Sequence, residues 1–252
     1  GGTLDANGLR ISNTQARVYE SAPGLFLNGG VQAKIQGAAL SGDGSTAVGV
    51  SNLFSEETGG GSTRATIQDL WIAETQSAFS SKGPFTAGTA LHVSSGAQAT
   101  VSRAVLLNNP GAGVAVDGRN TLLELNDTVV FGTHGDTVEG IEAIDATGVG
   151  FRIYTRSDDT GEGRVEAILR RVHFSRNQSF GMFAYGDVVL VMEDTTVTDT
   201  QQRQSSPDAQ PQDGVGILFE GQRAELARVN VARNFLVGFA ALGASVFNAL
   251  DL

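Results

Sequence analysis

The chain has 252 residues, 40% hydrophobic and 17% charged, a composition that excludes an intrinsically disordered protein. A formal net charge of −10 excludes the basic face that nucleic acid or an anionic membrane surface demands, and zero cysteines exclude disulfides and thiolate metal sites. No stretch reaches the roughly 18 consecutive apolar residues of a membrane span, and 33 glycines against 5 prolines point to many tight turns on a regular scaffold.

Taken in chain order, one pattern recurs: apolar, x, apolar, x, x, apolar or Thr, x, apolar, x, x, then Asn, Asp or Thr. It runs through Leu4/Ala6/Leu9/Ile11/Thr14, Ala33/Ile35/Ala38/Leu40/Asp43 and Ala65/Ile67/Leu70/Ile72/Thr75. It continues through Ala99/Val101/Ala104/Leu106/Asn109, Leu123/Leu125/Thr128/Val130/Thr133 and Ala167/Leu169/Val172/Phe174/Asn177. Leu190/Met192/Thr195/Val197/Thr200 and Ala224/Leu226/Val229/Val231/Asn234 follow, and Ser245/Phe247/Leu250/Leu252 reads as a ninth copy. The phrase RVHFSRNQSFGMFAYG at 171–186 is echoed by RVNVARNFLVGFAALG at 228–243. Between copies lies a second phrase, small-apolar-x-apolar, as in Ala90-Leu91-His92-Val93 and Gly150-Phe151-Arg152-Ile153.

Alternation with period two is the strand signal. Units this short cannot bury an inward face alone, whereas stacked copies build one continuous core. The pattern predicts an all-β fold: a right-handed parallel β-helix, or solenoid, of about nine coils, with three short strands per coil and loop insertions. Residues 1–252 form a single domain in this reading. Both ends fit the template without a polar cap, so a fragment of a longer chain is expected. Asn and Asp at the corner tolerate left-handed backbone. Leu226-x-x-Val229-x-Val231-x-x-Asn234 also matches a leucine-rich-repeat strand. Against that horseshoe, a further strand phrase stands where its helix should be.

On these repeats the chain resembles the bacterial right-handed parallel β-helix repeat proteins of the pectin-lyase-like superfamily. The superfamily holds polysaccharide lyases, pectin esterases, polygalacturonases, uronan epimerases and phage tailspikes beside many surface proteins of unassigned role. The polygalacturonase-like Asn-Thr-Asp, Gly-His-Gly and Arg-Ile-Lys elements are absent as such, as are the pectate-lyase Trp-Ile-Asp-His and the esterase Leu-Gly-Arg-Pro-Trp. The resemblance therefore implies a fold and carries no activity.

Extra length near 51–63, 73–88, 132–149, 155–163 and 201–213 marks loops, three of them leaving the same corner. Stacked loops on one side of a solenoid commonly form its binding side. The candidate catalytic residues are His134 and Asp136 in Gly-Thr-His-Gly-Asp, Arg152, and Asp158 and Asp159 in Arg-Ser-Asp-Asp, groups suited to acid–base work. Asp158, Asp159 and Glu162 are also the candidate metal ligands, dense enough in carboxylate for Ca²⁺ but without regular D-x-D-x-D-G spacing. His92 and Arg152 occupy outward strand positions two copies apart, with Ala115 between, and Tyr154 stands beside them. Together with Trp71, His92 and Tyr154 are the candidate ligand-binding residues. Phe26, Phe183 and Leu218, then Ile168, Val191 and Val246, then Trp71, Val105 and Val129, are apolar at outward positions, which marks contact surfaces.

The sequence thus points to an exported, non-catalytic scaffold or surface module that binds glycan or protein through its loop-bearing side. Its expected location is secreted or on a bacterial cell surface, with the signal or anchor outside this chain. No cofactor other than Ca²⁺ enters this reading, and no nucleic acid or membrane span. The alternatives are a polysaccharide lyase or glycoside hydrolase with a divergent acidic site, and a structural solenoid that self-associates end to end or laterally.

Overall fold

A computed structural model describes residues 2–14, 23–52, 62–76, 88–135, 148–155, 163–202, 214–243 and 246–250. Among these residues there is no helix, and 17 parallel strands form one sheet that curls 318° about an axis and nearly closes. This is a parallel β-solenoid-like arrangement. Two stacks of strands build it.

The first stack contains the long strands β1 (Thr3–Ser12), β3 (Gln32–Ser41), β5 (Arg64–Ala73), β7 (Gln98–Leu107), β9 (Leu122–Phe131) and β11 (Val165–Ser175), each paired in parallel with the next. The second contains β2 (Leu25–Leu27), β4 (Thr46–Ser51), β6 (Thr89–Ser94), β8 (Ala112–Asp117) and β10 (Val149–Tyr154). The longer β12 (Phe180–Glu193) and β14 (Val215–Ala227) begin in the second stack and end in the first. The remaining strands extend one stack or the other: β13 (Thr196–Thr198), β15 (Asn230–Ala232), β16 (Val237–Ala241) and β17 (Val246–Leu250).

The pairings reproduce the sequence template in register. Ala33 lies beside Ala65, Ile35 beside Ile67, Leu70 beside Ala104 and Leu40 beside Ile72. These apolar columns interlock in one core, with Ile35, Leu40, Leu106, Leu125, Phe151, Phe174 and Phe219 fully buried. The ninth copy needs correction. Phe247 pairs with Ala224 and Ala249 with Leu226, so this copy starts two residues later than the spacing predicts. A two-residue slip preserves the alternation of faces, which is why the pattern alone did not expose it.

The two-residue step inside each copy is a backbone bend. Gly8, Gly37, Asp69, Arg103, Asp127, Arg171, Asp194 and Arg228 occupy it, all with φ between 49° and 69°. An L-residue pays for that left-handed geometry, yet six of the eight carry side chains. Those six alternate Asp, Arg, Asp, Arg, Asp, Arg along the stack. Arg103 grips Asp69, Arg171 grips Asp127 and Arg228 grips Asp194, each through Nε and Nη2 at 2.5 to 3.0 Å. The side-chain hydrogen bond from each Arg holds the Asp69, Asp127 and Asp194 carboxyls below the usual carboxylate range.

The corner after the second apolar pair alternates in step. Its occupants are Thr14, Asp43, Thr75, Asn109, Thr133, Asn177, Thr200 and Asn234. Within successive pairs, the Thr backbone N–H donates to the Asp or Asn Oδ1 at 3.0 to 3.2 Å: Thr14 to Asp43, Thr75 to Asn109, Thr133 to Asn177 and Thr200 to Asn234. The structural repeat is therefore two rungs long. RVHFSRN and RVNVARN are the Arg/Asn rungs of two such pairs, which explains their likeness.

The space around this corner is full. A Cβ on Gly181 would stand 2.3 Å from Val197 Cγ1 and 2.6 Å from the Gly216 carbonyl oxygen, and one on Gly150 would stand 2.6 Å from Asn177 Nδ2. Glycine opens these strands because no side chain fits. After the Asp43, Asn109 and Asn177 corners the chain turns at once, through left-handed Ser45, Gly111 and Ser179. After all four Thr corners it passes instead through segments outside the described residues, 15–22, 77–87, 136–147 and 203–213.

Candidate functional site

The second stack has two outward columns. One reads Phe26, Gly49, His92, Ala115, Arg152, Phe183, Leu218, Ala240; the other reads Ser51, Ser94, Asp117, Tyr154, Tyr185, Glu220. Unlike the corners, neither column repeats. At each strand these residues flank inward side chains, such as Phe151 and Ile153 around Arg152, which pin the orientation of the face.

His92 and Asp117 form its polar end. The His92 Nε2 lies 2.8 Å from Asp117 Oδ2, with the carboxylate 1% exposed and the imidazole 30% exposed. When Nε2 donates to this carboxylate, Nδ1 is the ring's acceptor, and the pair fixes both the tautomer and the ring plane. Ser94 stands in register with Asp117, and its hydroxyl donates to Ser51 Oγ at 3.3 Å. Ala115, 1% exposed, separates His92 from Arg152.

Arg152 begins an aromatic end. Its guanidinium carbon lies 5.1 Å from the Tyr154 ring centroid, a cation–π arrangement. One strand on, Phe183 is in register with Arg152, and Tyr185 with Tyr154. The Phe183 and Tyr185 rings lie parallel within 5° at 6.4 Å between centroids, and Phe180 packs on Phe183 at 5.5 Å. Tyr185 is half exposed, so one aromatic surface is open to solvent.

Of the sequence candidates, the structure brings His92, Arg152 and Tyr154 onto one face. Trp71 is exposed on a different face, in the long-strand stack. His134 lies at the Thr133 corner, bridged to Pro110, with its Nδ1 3.3 Å from the Gly132 carbonyl oxygen. It precedes β10 and is not part of the His92 face. Asp136, Asp158, Asp159 and Glu162 lie outside the described residues. Among the described residues no group of three or more His, Asp or Glu side chains has the arrangement of a metal site. Also among them, no helix is long and apolar enough to cross a membrane.

Sequence reasoning missed Asp117, Phe180 and Tyr185. Asp117 directly follows the phrase Gly113-Val114-Ala115-Val116, and only the β6–β8 register reveals it opposite Ser94 and beside His92. Tyr185 was legible as the residue two beyond Phe183, hence on its face. The apolar outward positions fared better: Phe26, Trp71, Val129 and Val246 are exposed, and Ile168 and Val191 are half-buried.

Searches against protein-family models, curated proteins and solved structures give no significant match.

Proposed function

We propose that the chain is a non-catalytic, exported, right-handed parallel β-helix of about nine coils and three strands per coil that binds a glycan on the outer face of its second strand stack. The left-handed bend in each long strand divides it in two, which together with the second stack makes three segments per coil. Right-handedness follows from the strong preference of parallel crossover connections. The pectin-lyase-like resemblance of the repeats agrees with this architecture.

The observation that carries the binding reading is the in-register set of Arg152, Tyr154, Phe183 and Tyr185 beside the His92–Asp117 pair. Flat aromatic rings accept the apolar faces of sugars, while the Arg152 guanidinium and the partly exposed His92 imidazole, oriented by the buried Asp117, satisfy hydroxyls. Strands spaced by about 4.8 Å along the axis offer one such step per rung, close to the length of a pyranose in an extended chain. Segments 53–61 and 156–162 follow strands of this stack, and 77–87, 136–147 and 203–213 precede others.

Affinity electrophoresis in gels containing neutral or acidic polysaccharides tests the proposal. Retardation of the protein by at least one glycan is expected, with each of Phe183→Ala and Tyr185→Ala weakening it about tenfold, the equivalent of ~1.4 kcal/mol. Absence of retardation by every glycan overturns the reading. A second reading, a divergent polysaccharide lyase or glycoside hydrolase, is favoured by one observation: a buried carboxylate orients His92 as it would a general base. New reducing or unsaturated ends from a uronic-acid or neutral polysaccharide, with or without Ca²⁺, and their loss in His92→Ala, would replace the binding reading with this one.

A further inference from the structure

The second half of each long strand, continued by β13 and β15, presents another outward column: Arg10, Ala39, Trp71, Val105, Val129, His173, Thr196 and Asn230. Three consecutive members, Trp71, Val105 and Val129, are large and apolar, with Trp71 41% and Val129 36% exposed. Leu107 and Phe131, half-buried two residues along their strands from Val105 and Val129, widen the patch. Along one side runs the alternating column Asp69, Arg103, Asp127, Arg171, Asp194, Arg228. An exposed apolar patch with a charged border is the usual mark of a protein contact.

We propose that this face is a docking surface for a second copy of the same chain, related by a two-fold axis perpendicular to the strand stack. The charge pattern selects that occupant. A partner of single charge sign gains as much repulsion as attraction from a column that changes sign at every rung. A column with the opposite alternation at the same spacing is complementary throughout, and this column, reversed, is such a partner. Any two-fold axis passing between adjacent rungs sets each Asp opposite an Arg, whereas an axis through a rung sets like against like.

The apolar patch chooses among the allowed axes. With the axis between the Val105 and Val129 rungs, Val105 meets Val129 of the second copy, and Trp71 meets its His173. Arg103 then faces Asp127 of the second copy, and Asp69 faces its Arg171. The apolar residues supply affinity and the exposed charges supply register, since exposed ion pairs add little energy but penalise wrong alignments. This surface is distinct from the His92–Arg152 face, so a glycan and a second copy bind independently.

Sedimentation velocity over a range of protein concentrations tests the proposal. The wild-type chain is expected to show a reversible monomer–dimer equilibrium. Trp71→Ser, a substitution at an exposed position, is expected to weaken it at least tenfold. Arg103→Asp and Asp127→Arg are each expected to be monomeric alone, because each sets like charges across the axis. Mixed in equal amounts, the two restore a dimer. The carboxylate introduced in one chain then meets the guanidinium introduced in the other, and the native Asp127 of the first meets the native Arg103 of the second. Should the charge-reversed chains fail to fold by circular dichroism, Trp71→Ser decides alone. A wild-type chain monomeric at every concentration, or a dimer indifferent to Trp71→Ser, overturns the proposal.

Discussion

The corner column and the outer face of the second stack lie next to each other along the chain but are built on opposite principles. At the corner, Thr and Asn or Asp alternate over eight rungs with the same hydrogen bond in each pair. On the outer face, His92, Ala115, Arg152 and Phe183 succeed one another with no repeat. Repetition at the corner answers a structural demand, because every rung must satisfy a buried turn. A face whose chemistry changes at each rung answers no such demand, and it is where binding is to be sought.

The contrast breaks most severely if the core is emptied. Phe151 is fully buried and packs edge-on against Phe174 at 5.9 Å. Phe151→Ala is expected to cost about 3–5 kcal/mol, measured by urea unfolding. The corner comes next. Gly181→Val must displace Val197 or the Gly216 backbone, an overpacking expected to cost about 1–3 kcal/mol or more. Asn177→Ala leaves the buried Thr133 N–H without its acceptor, a loss of about 1–3 kcal/mol. If Asn177→Ala proved neutral, the alternating corner would not be what holds successive rungs together.

Acid gives a smaller effect of known sign. Hydrogen bonds from Arg103, Arg171, Arg228 and Arg233 lower the carboxyls of Asp69, Asp127, Asp194 and Asp199 respectively. Depressed native values mean that the contribution is fully present above the unfolded Asp value of about 4, and is lost as pH falls through the native values. These pairs are solvent-exposed, so the change is modest and salt screens it further. A stability profile between pH 5 and pH 2 with an added salt series checks this, the Arg171→Gln variant showing a shallower acid limb than the wild type. The smallest stability effect belongs to the face: Tyr185→Ala is expected to shift unfolding by less than about 0.5 kcal/mol, while it weakens glycan retention.

Much of the scaffold was legible because period-two alternation survives in sequence. Eight template copies appear in the observed register, from Ala33 beside Ala65 to Met192 beside Leu226. The two-rung period was less visible, since the template treated the bend as two arbitrary positions. Arg171 and Arg228 in the echoed phrase, with Asp127 and Asp194 in the intervening copies, were its signal. For the face, His92, Arg152 and Tyr154 were legible from strand direction alone. Asp117 was not, because a contact between residues 25 apart in sequence depends on which strands lie side by side. His134 resembled a site residue by composition, yet it directly follows the Thr133 corner of the template, which places it before β10.

The most direct test measures glycan retention and the unfolding midpoint together for Tyr185→Ala and Asn177→Ala. The two variants are predicted to cross. Tyr185→Ala should lose retention at an unchanged midpoint, and Asn177→Ala should lose stability while its folded fraction is retained as well as the wild type. Retention that falls in proportion to stability in both variants, or that persists undiminished in Tyr185→Ala, would contradict the division between repeating scaffold and non-repeating face.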